Sequence, residues 1–130
     1  MSKLIRRWLP PLVWMGLIFF FSAQPSLPSI PGFWDLLIFK TLHVLAYAIL
    51  TWLYLRALRG GAPTGVPVRL VSAALALAYA VSDEYHQTFV PGRNGSPMDV
   101  AIDALGIVGA ILLDWRLRLK RRGGDGEASR

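Results

Sequence analysis

Four long apolar segments joined by short connections constrain the fold of this 130-residue chain most strongly. They run over about residues 8–23, 33–58, 68–89 and 97–115. Each approaches the ~20 residues that an α-helix needs to cross the hydrocarbon core of a bilayer. The sequence therefore predicts an all-α fold, a bundle of four transmembrane helices. We predict a transmembrane domain over residues 1–122 and a disordered tail over residues 123–130, which is rich in glycine and polar residues.

The composition supports a membrane protein and excludes other classes. Hydrophobic residues make up 54% of the chain, more than a soluble domain of this length normally has. The absence of cysteine excludes disulfides and thiolate metal sites. The net charge of +6 does not indicate nucleic-acid binding, because the basic residues lie at the ends of the apolar segments and not along one face.

The basic residues also predict the orientation of the chain. All 14 lysines and arginines except Lys40 and Arg93 lie at the N-terminus, around the second connection or after the fourth segment. Because such residues concentrate on the cytoplasmic side, we expect a multi-pass protein of the cytoplasmic membrane with both termini inside. The first segment has the basic start of a signal peptide, but Phe21-Ser22-Ala23 is a poor cleavage site, so we expect a retained helix.

Polar residues are concentrated at the predicted outer ends of the segments. Within each segment, helical spacing places these polar residues on one face of the helix. Charge at that depth is costly and usually marks a pairing, a pathway or a site. Their negative charge exceeds their positive charge, so we expect a protonated carboxylate, a charged histidine or a bound divalent cation. The group consists of Ser22, Gln24, Lys40, His43, Tyr47, Asp83, Glu84, Gln87, Arg93, Asp99 and Asp103.

The start of the fourth segment has the pattern of a capping box. Ser96 is the expected N-cap, Pro97 the first helical residue and Asp99 the acid at the third position. As the acid of a capping box, Asp99 would need no functional role.

Several of these residues form a family pattern. In chain order they are Phe21-Ser22-Ala23-Gln24-Pro25, then Lys40, His43 and Tyr47, then DEYHQTFVPGR over residues 83–93, then Ser96, Asp99, Gly106 and Gly109. The pattern resembles that of the VanZ-like family of bacterial membrane proteins, named for a teicoplanin-resistance protein, and covers about residues 8–115. The resemblance implies a link to glycopeptide resistance and no defined activity. Asp103 departs from it, because we expect asparagine there.

We predict that these polar residues form an outward-facing pocket near the membrane surface. Such a pocket suits an amphiphilic ligand with an anionic or sugar headgroup. A membrane lipid, a lipid-linked envelope intermediate or a lipoglycopeptide such as teicoplanin fits that description. We predict acid–base roles for Asp83, Glu84, His43 and Asp99. We predict binding roles for Lys40, Arg93, Gln87, Tyr47, Asp103, Ser22 and Gln24, and assign no metal ligands.

The sequence leaves three alternatives open. The pocket can be catalytic, it can bind a lipid or antibiotic without converting it, or its charges can only hold the helices together. An ion pathway is disfavoured, because the predicted inner halves of the helices have few polar groups. The oligomeric state is open too.

Overall fold

The prediction of an all-α fold is confirmed. A computed structural model describes residues 2–24, 33–61, 65–92 and 95–128, apart from the side chains of residues 33–36. These residues contain four helices and no strand. The helices are α1 (Lys3–Ser22), α2 (Phe33–Arg59), α3 (Val66–Gln87) and α4 (Pro97–Ala128).

Helix α1 begins earlier than the apolar pattern predicts. Ser2 is its N-cap, and the Ser2 side chain accepts a hydrogen bond from the backbone of Ile5. Pro10 and Pro11 therefore lie inside the helix rather than in its first turn. A proline at these positions leaves a carbonyl of the preceding turn without its usual backbone donor.

Helix α2 lies at the centre of the bundle. It packs most extensively against α4 and also against α3 and α1, whereas α1 touches α3 only over a short stretch. The buried core joins α2 to α3 and α4 and consists of Tyr47, Leu50, Tyr54, Ala76, Ala80 and Ile107. Ala76 and Ala80 are fully buried, as their small size on one face of α3 predicts for a close helix contact.

Contacts at one end of the bundle join the start of α1 and the connection after α2. The guanidinium of Arg7 donates a hydrogen bond of 2.6 Å to the carbonyl oxygen of Gly60, which has a positive φ of 58°. Arg69 and Arg118 pair there with Asp114, at Nε–Oδ distances of 3.1 and 3.6 Å. We call this the basic end, and the opposite end, where α1 and α3 end and α4 begins, the polar end.

In the part of the chain that the structure describes, three helices are long and apolar enough to cross a membrane: α1, α2 from Leu37 to Arg59, and α3. Helix α4 is not among them because of its charged residues: its first five turns contain Asp99, Asp103 and Asp114, and basic residues follow. The three apolar helices fit a membrane protein. A fourth membrane span and cytoplasmic termini stay predictions.

Helix α4 continues beyond the predicted domain boundary at residue 122 and ends at Ala128. Residues 123–128 are exposed. An exposed helix end does not test the predicted disorder of the tail, which stays a prediction.

Candidate functional site

Two ion pairs connect α2 to α4 at the polar end. Lys40 pairs with Asp99, and His43 Nδ1 lies 3.0 Å from Asp103 Oδ1. Within each helix, sequence spacing had placed the paired residues on one face. Asp103 is almost completely buried, with 1% of its surface exposed.

Hydrogen bonds at the same depth connect α1, α2 and α3. The Tyr47 hydroxyl donates to Asp83 Oδ2 at 3.2 Å, and Gln87 Nε2 donates to Ser22 Oγ at 2.9 Å. The Ser22 hydroxyl also lies beside the Asp83 carboxylate. The structure thus brings together residues from all four helices. We call the set the polar cluster: Ser22, Lys40, His43, Tyr47, Asp83, Glu84, Gln87, Asp99 and Asp103.

Glu84 is bound to the start of α4. Its Oε1 accepts a hydrogen bond from the backbone N–H of Ser96, and the Ser96 hydroxyl accepts from the backbone of Met98 at 3.2 Å. Ser96 is therefore the N-cap, as predicted. Asp99 does not complete the capping box, because Glu84 already occupies the Ser96 N–H and Asp99 pairs with Lys40. A carboxylate at this position also matches the positive end of the helix dipole.

Two carboxylate oxygens of the polar cluster are buried without a hydrogen-bond partner: Asp83 Oδ1 and Asp103 Oδ2. Asp83 itself is only 4% exposed. Buried polar atoms are normally hydrogen-bonded, so each of these oxygens is an acceptor that a bound group can use.

A groove of about 550 Å³ lies between α1 and α2 and is lined in part by residues of the polar cluster. Its walls are mostly apolar, and Ser22, His43, Tyr47, Asp83 and Gln87 form its polar part. Side chains at its margin remain open to the surroundings: Phe21 is 62% exposed, Leu42 54% and Leu45 52%. The apolar walls are Trp14, Leu17, Ile18, Phe21, Phe39, Leu42, Leu45, Ala46 and Ile49.

Some predicted site residues lie away from the groove. Lys40, Glu84, Asp99 and Asp103 contribute to the polar cluster but do not line the groove. Gln24 lies just beyond the end of α1 and donates to the carbonyl of Phe20 at 3.1 Å. Arg93 lies outside the described residues.

Sequence reasoning missed two features of this end. Trp14 fixes one wall of the groove, because its indole N–H donates to the carbonyl of Ala46 at 2.9 Å. His86 stacks on Phe19 of α1 with ring centroids 4.6 Å apart. The spacing of polar residues does not predict either contact, because apolar side chains that face lipid and those that line a groove look alike in sequence.

A family model described as VanZ/LLP1 matches residues 8–118. The chain belongs to the VanZ/LLP1 family. The match confirms the resemblance of the motifs and spans every residue of the polar cluster, although it assigns none of them a role. Neither a curated protein nor a solved structure matches the chain.

The geometry indicates what the polar cluster can do chemically. Within the described ranges, no three histidine, aspartate or glutamate side chains are arranged to hold a metal ion. The cluster instead offers hydrogen-bond acceptors at Asp83 and an imidazole, His43, that an aspartate orients. Such groups bind donor groups of a ligand or transfer protons.

Proposed function

We propose that this VanZ/LLP1-family protein binds an amphiphilic component of the cell envelope, such as a lipid, a lipid-linked intermediate or a lipoglycopeptide. The acyl chain lies in the groove and the headgroup meets the polar cluster, on the outer side of the membrane. Binding of such a component links the protein to glycopeptide resistance. The observation that supports this most is the groove, whose mostly apolar lining includes a small group of side chains from the polar cluster.

The size and position of the groove fit this ligand. Its volume of about 550 Å³ lies within the roughly 300–1,000 Å³ common for ligand pockets. The exposed margin residues Phe21, Leu42 and Leu45 belong to helices that can cross a membrane, so a lipid chain can enter sideways from the bilayer.

The headgroup contacts decide which lipid is retained. Surrounding lipid is as apolar as the groove, so an acyl chain gains little by moving from one to the other. The polar groups at the end of the groove, in contrast, distinguish one headgroup from another. Specificity therefore depends on Asp83, His43 and their neighbours.

Blocking the groove is expected to remove the bound lipid. Leu42→Trp places an indole at the groove margin next to His43, and Leu105→Trp, at a 66% exposed leucine of α4 away from the groove, is the matched control. Mass spectrometry of the lipids that copurify with the protein is expected to find a lipid depleted in Leu42→Trp and retained in the wild type and Leu105→Trp. Equal lipid content in all three proteins would contradict the proposal.

A catalytic role is the second candidate, favoured by the contact between His43 and Asp103. An aspartate on Nδ1 fixes the imidazole so that its other nitrogen can transfer a proton, and His43 lines the groove. The same mass spectra separate the two roles. An enzyme would give converted lipid with the wild type and unconverted lipid with His43→Ala, whereas a binding protein gives the same species with both.

A purely structural role accounts for only part of the polar cluster. The Lys40–Asp99 pair and the Glu84–Ser96 bond hold α4 to α2 and α3 without any ligand. Asp83 has no such cationic partner among the described residues, yet it is buried at the groove. A cluster that only joined helices would not place an unpaired carboxylate oxygen there.

A further inference from the structure

We propose that the headgroup bound at the polar end of the groove carries a primary ammonium, held by the carboxylate of Asp83. This inference rests on the proposed function and names the class of its ligand. It replaces the anionic or sugar headgroup that the sequence suggested.

Asp83 is the acceptor that a ligand in the groove can reach. It lines the groove, it is 4% exposed, and Oδ2 accepts from the Tyr47 hydroxyl. Oδ1 is buried without a hydrogen-bond partner, although the neutral Ser22 hydroxyl lies beside the carboxylate. A buried, unpaired carboxylate oxygen is costly, and a donor supplied by the ligand removes that cost. Asp103 has a similar orphan oxygen, but it does not line the groove.

The cations near Asp83 are already engaged. Among the described residues of the polar cluster, the cationic or ionisable basic side chains are Lys40 and His43, which pair with Asp99 and Asp103. Four carboxylates face them: Asp83, Glu84, Asp99 and Asp103. An anionic headgroup would add charge of the sign already in excess, whereas an ammonium group places positive charge beside these carboxylates, even where a lipid phosphate makes the headgroup neutral overall.

A primary ammonium supplies both the hydrogen-bond donor that Asp83 lacks and a positive charge. It brings positive charge and N–H donors, and hydrogen bonds to charged partners are roughly twice as strong as neutral ones. A sugar hydroxyl brings donors without charge, and a quaternary ammonium brings charge without a donor. Phosphatidylethanolamine and phosphatidylcholine differ only in the methyl groups on this nitrogen, so they form a matched pair of probes.

The test is a competition between lipids with identical acyl chains. The protein is reconstituted with equal amounts of phosphatidylethanolamine, phosphatidylcholine, phosphatidylglycerol and a glucosyl diacylglycerol, extracted, and analysed for retained lipid by native mass spectrometry. The wild type is expected to retain phosphatidylethanolamine about tenfold over each of the others, the factor that one charge-assisted hydrogen bond provides. Asp83→Asn is expected to lose this preference, and Asp125→Asn, at an exposed aspartate of α4, is expected to keep it.

Other results of this competition distinguish failure of the ammonium proposal from failure of the groove proposal. Preferential retention of phosphatidylglycerol or of the glucosyl lipid, with loss of that lipid in Leu42→Trp, overturns the ammonium proposal and leaves the groove proposal standing. Retention of all four lipids at one level, unchanged by Leu42→Trp, overturns both. If Asp83→Asn does not fold, the comparison of phosphatidylethanolamine with phosphatidylcholine on the wild type decides the ammonium proposal alone.

Discussion

Asp114→Ala is expected to destabilise the protein by about 3–5 kcal/mol, the cost of removing one partner of a buried ion pair. Asp114 is buried at the basic end and accepts from Arg69, whose side chain is only 14% exposed, and it faces Arg118 one turn along α4. Without the carboxylate, two arginines face each other in a poorly hydrated site. The free energy of unfolding in mixed micelles measures the effect.

The control for Asp114 is Asp125→Ala, at an exposed position in the same helix, which is expected to change stability by less than about 0.5 kcal/mol. The double variant Arg69→Met/Asp114→Leu is expected to be more stable than Asp114→Ala, because it removes both charges together. Equal stability of Asp114→Ala and Asp125→Ala would show that the pair does not hold α3 to α4.

Gly106→Ala is expected to separate α4 from α2. A Cβ at Gly106 would collide with the carbonyl oxygen of Val44 and lie 3.0 Å from the Val44 carbonyl carbon and 3.1 Å from the Ala48 nitrogen. These are backbone atoms, which cannot rotate away as a side chain can. Overpacking of this kind costs about 1–3 kcal/mol, and we expect the upper part of that range.

Gly109→Ala is the matched control for Gly106→Ala. The two glycines lie three residues apart in α4, but a Cβ at Gly109 meets nothing within 4 Å. Alanine is the better helix former by roughly 0.5–1 kcal/mol, so Gly109→Ala is expected to be neutral or stabilising in the same unfolding measurement. A loss of stability at Gly109 equal to that at Gly106 would contradict the close α2–α4 contact.

Much of the fold was predictable because long apolar segments and their flanks determine helices locally. The start of α1 was not, because Lys3, Arg6 and Arg7 look like a solvated flank in sequence, while Ser2 caps a helix that includes them. The ion pair of Asp114 was also missed. Its neighbours Trp115 and Arg116 resemble the end of a membrane span, and only the packed helices show that Arg69 reaches it.

The sequence predicted which residues belong to the polar cluster better than it predicted which of them pair with each other. Helical spacing alone placed Lys40, His43 and Tyr47 on one face, and the structure joins each of them to a carboxylate of α3 or α4. Which carboxylate pairs with which base depends on the relative rotation and depth of the helices, which sequence spacing does not set. Glu84 illustrates this, since it bonds the start of α4 rather than a base.

The central claim is that the polar end of the groove faces outward, and cysteine labelling tests it most directly. Since the chain contains no cysteine, single variants are specific: Thr88→Cys is exposed at the polar end, and Gly124→Cys is exposed beyond the basic end. In intact cells a membrane-impermeant maleimide is expected to label Thr88→Cys and to label Gly124→Cys only after permeabilisation. The reverse pattern would place the polar cluster in the cytoplasm and contradict binding of an outer-surface ligand.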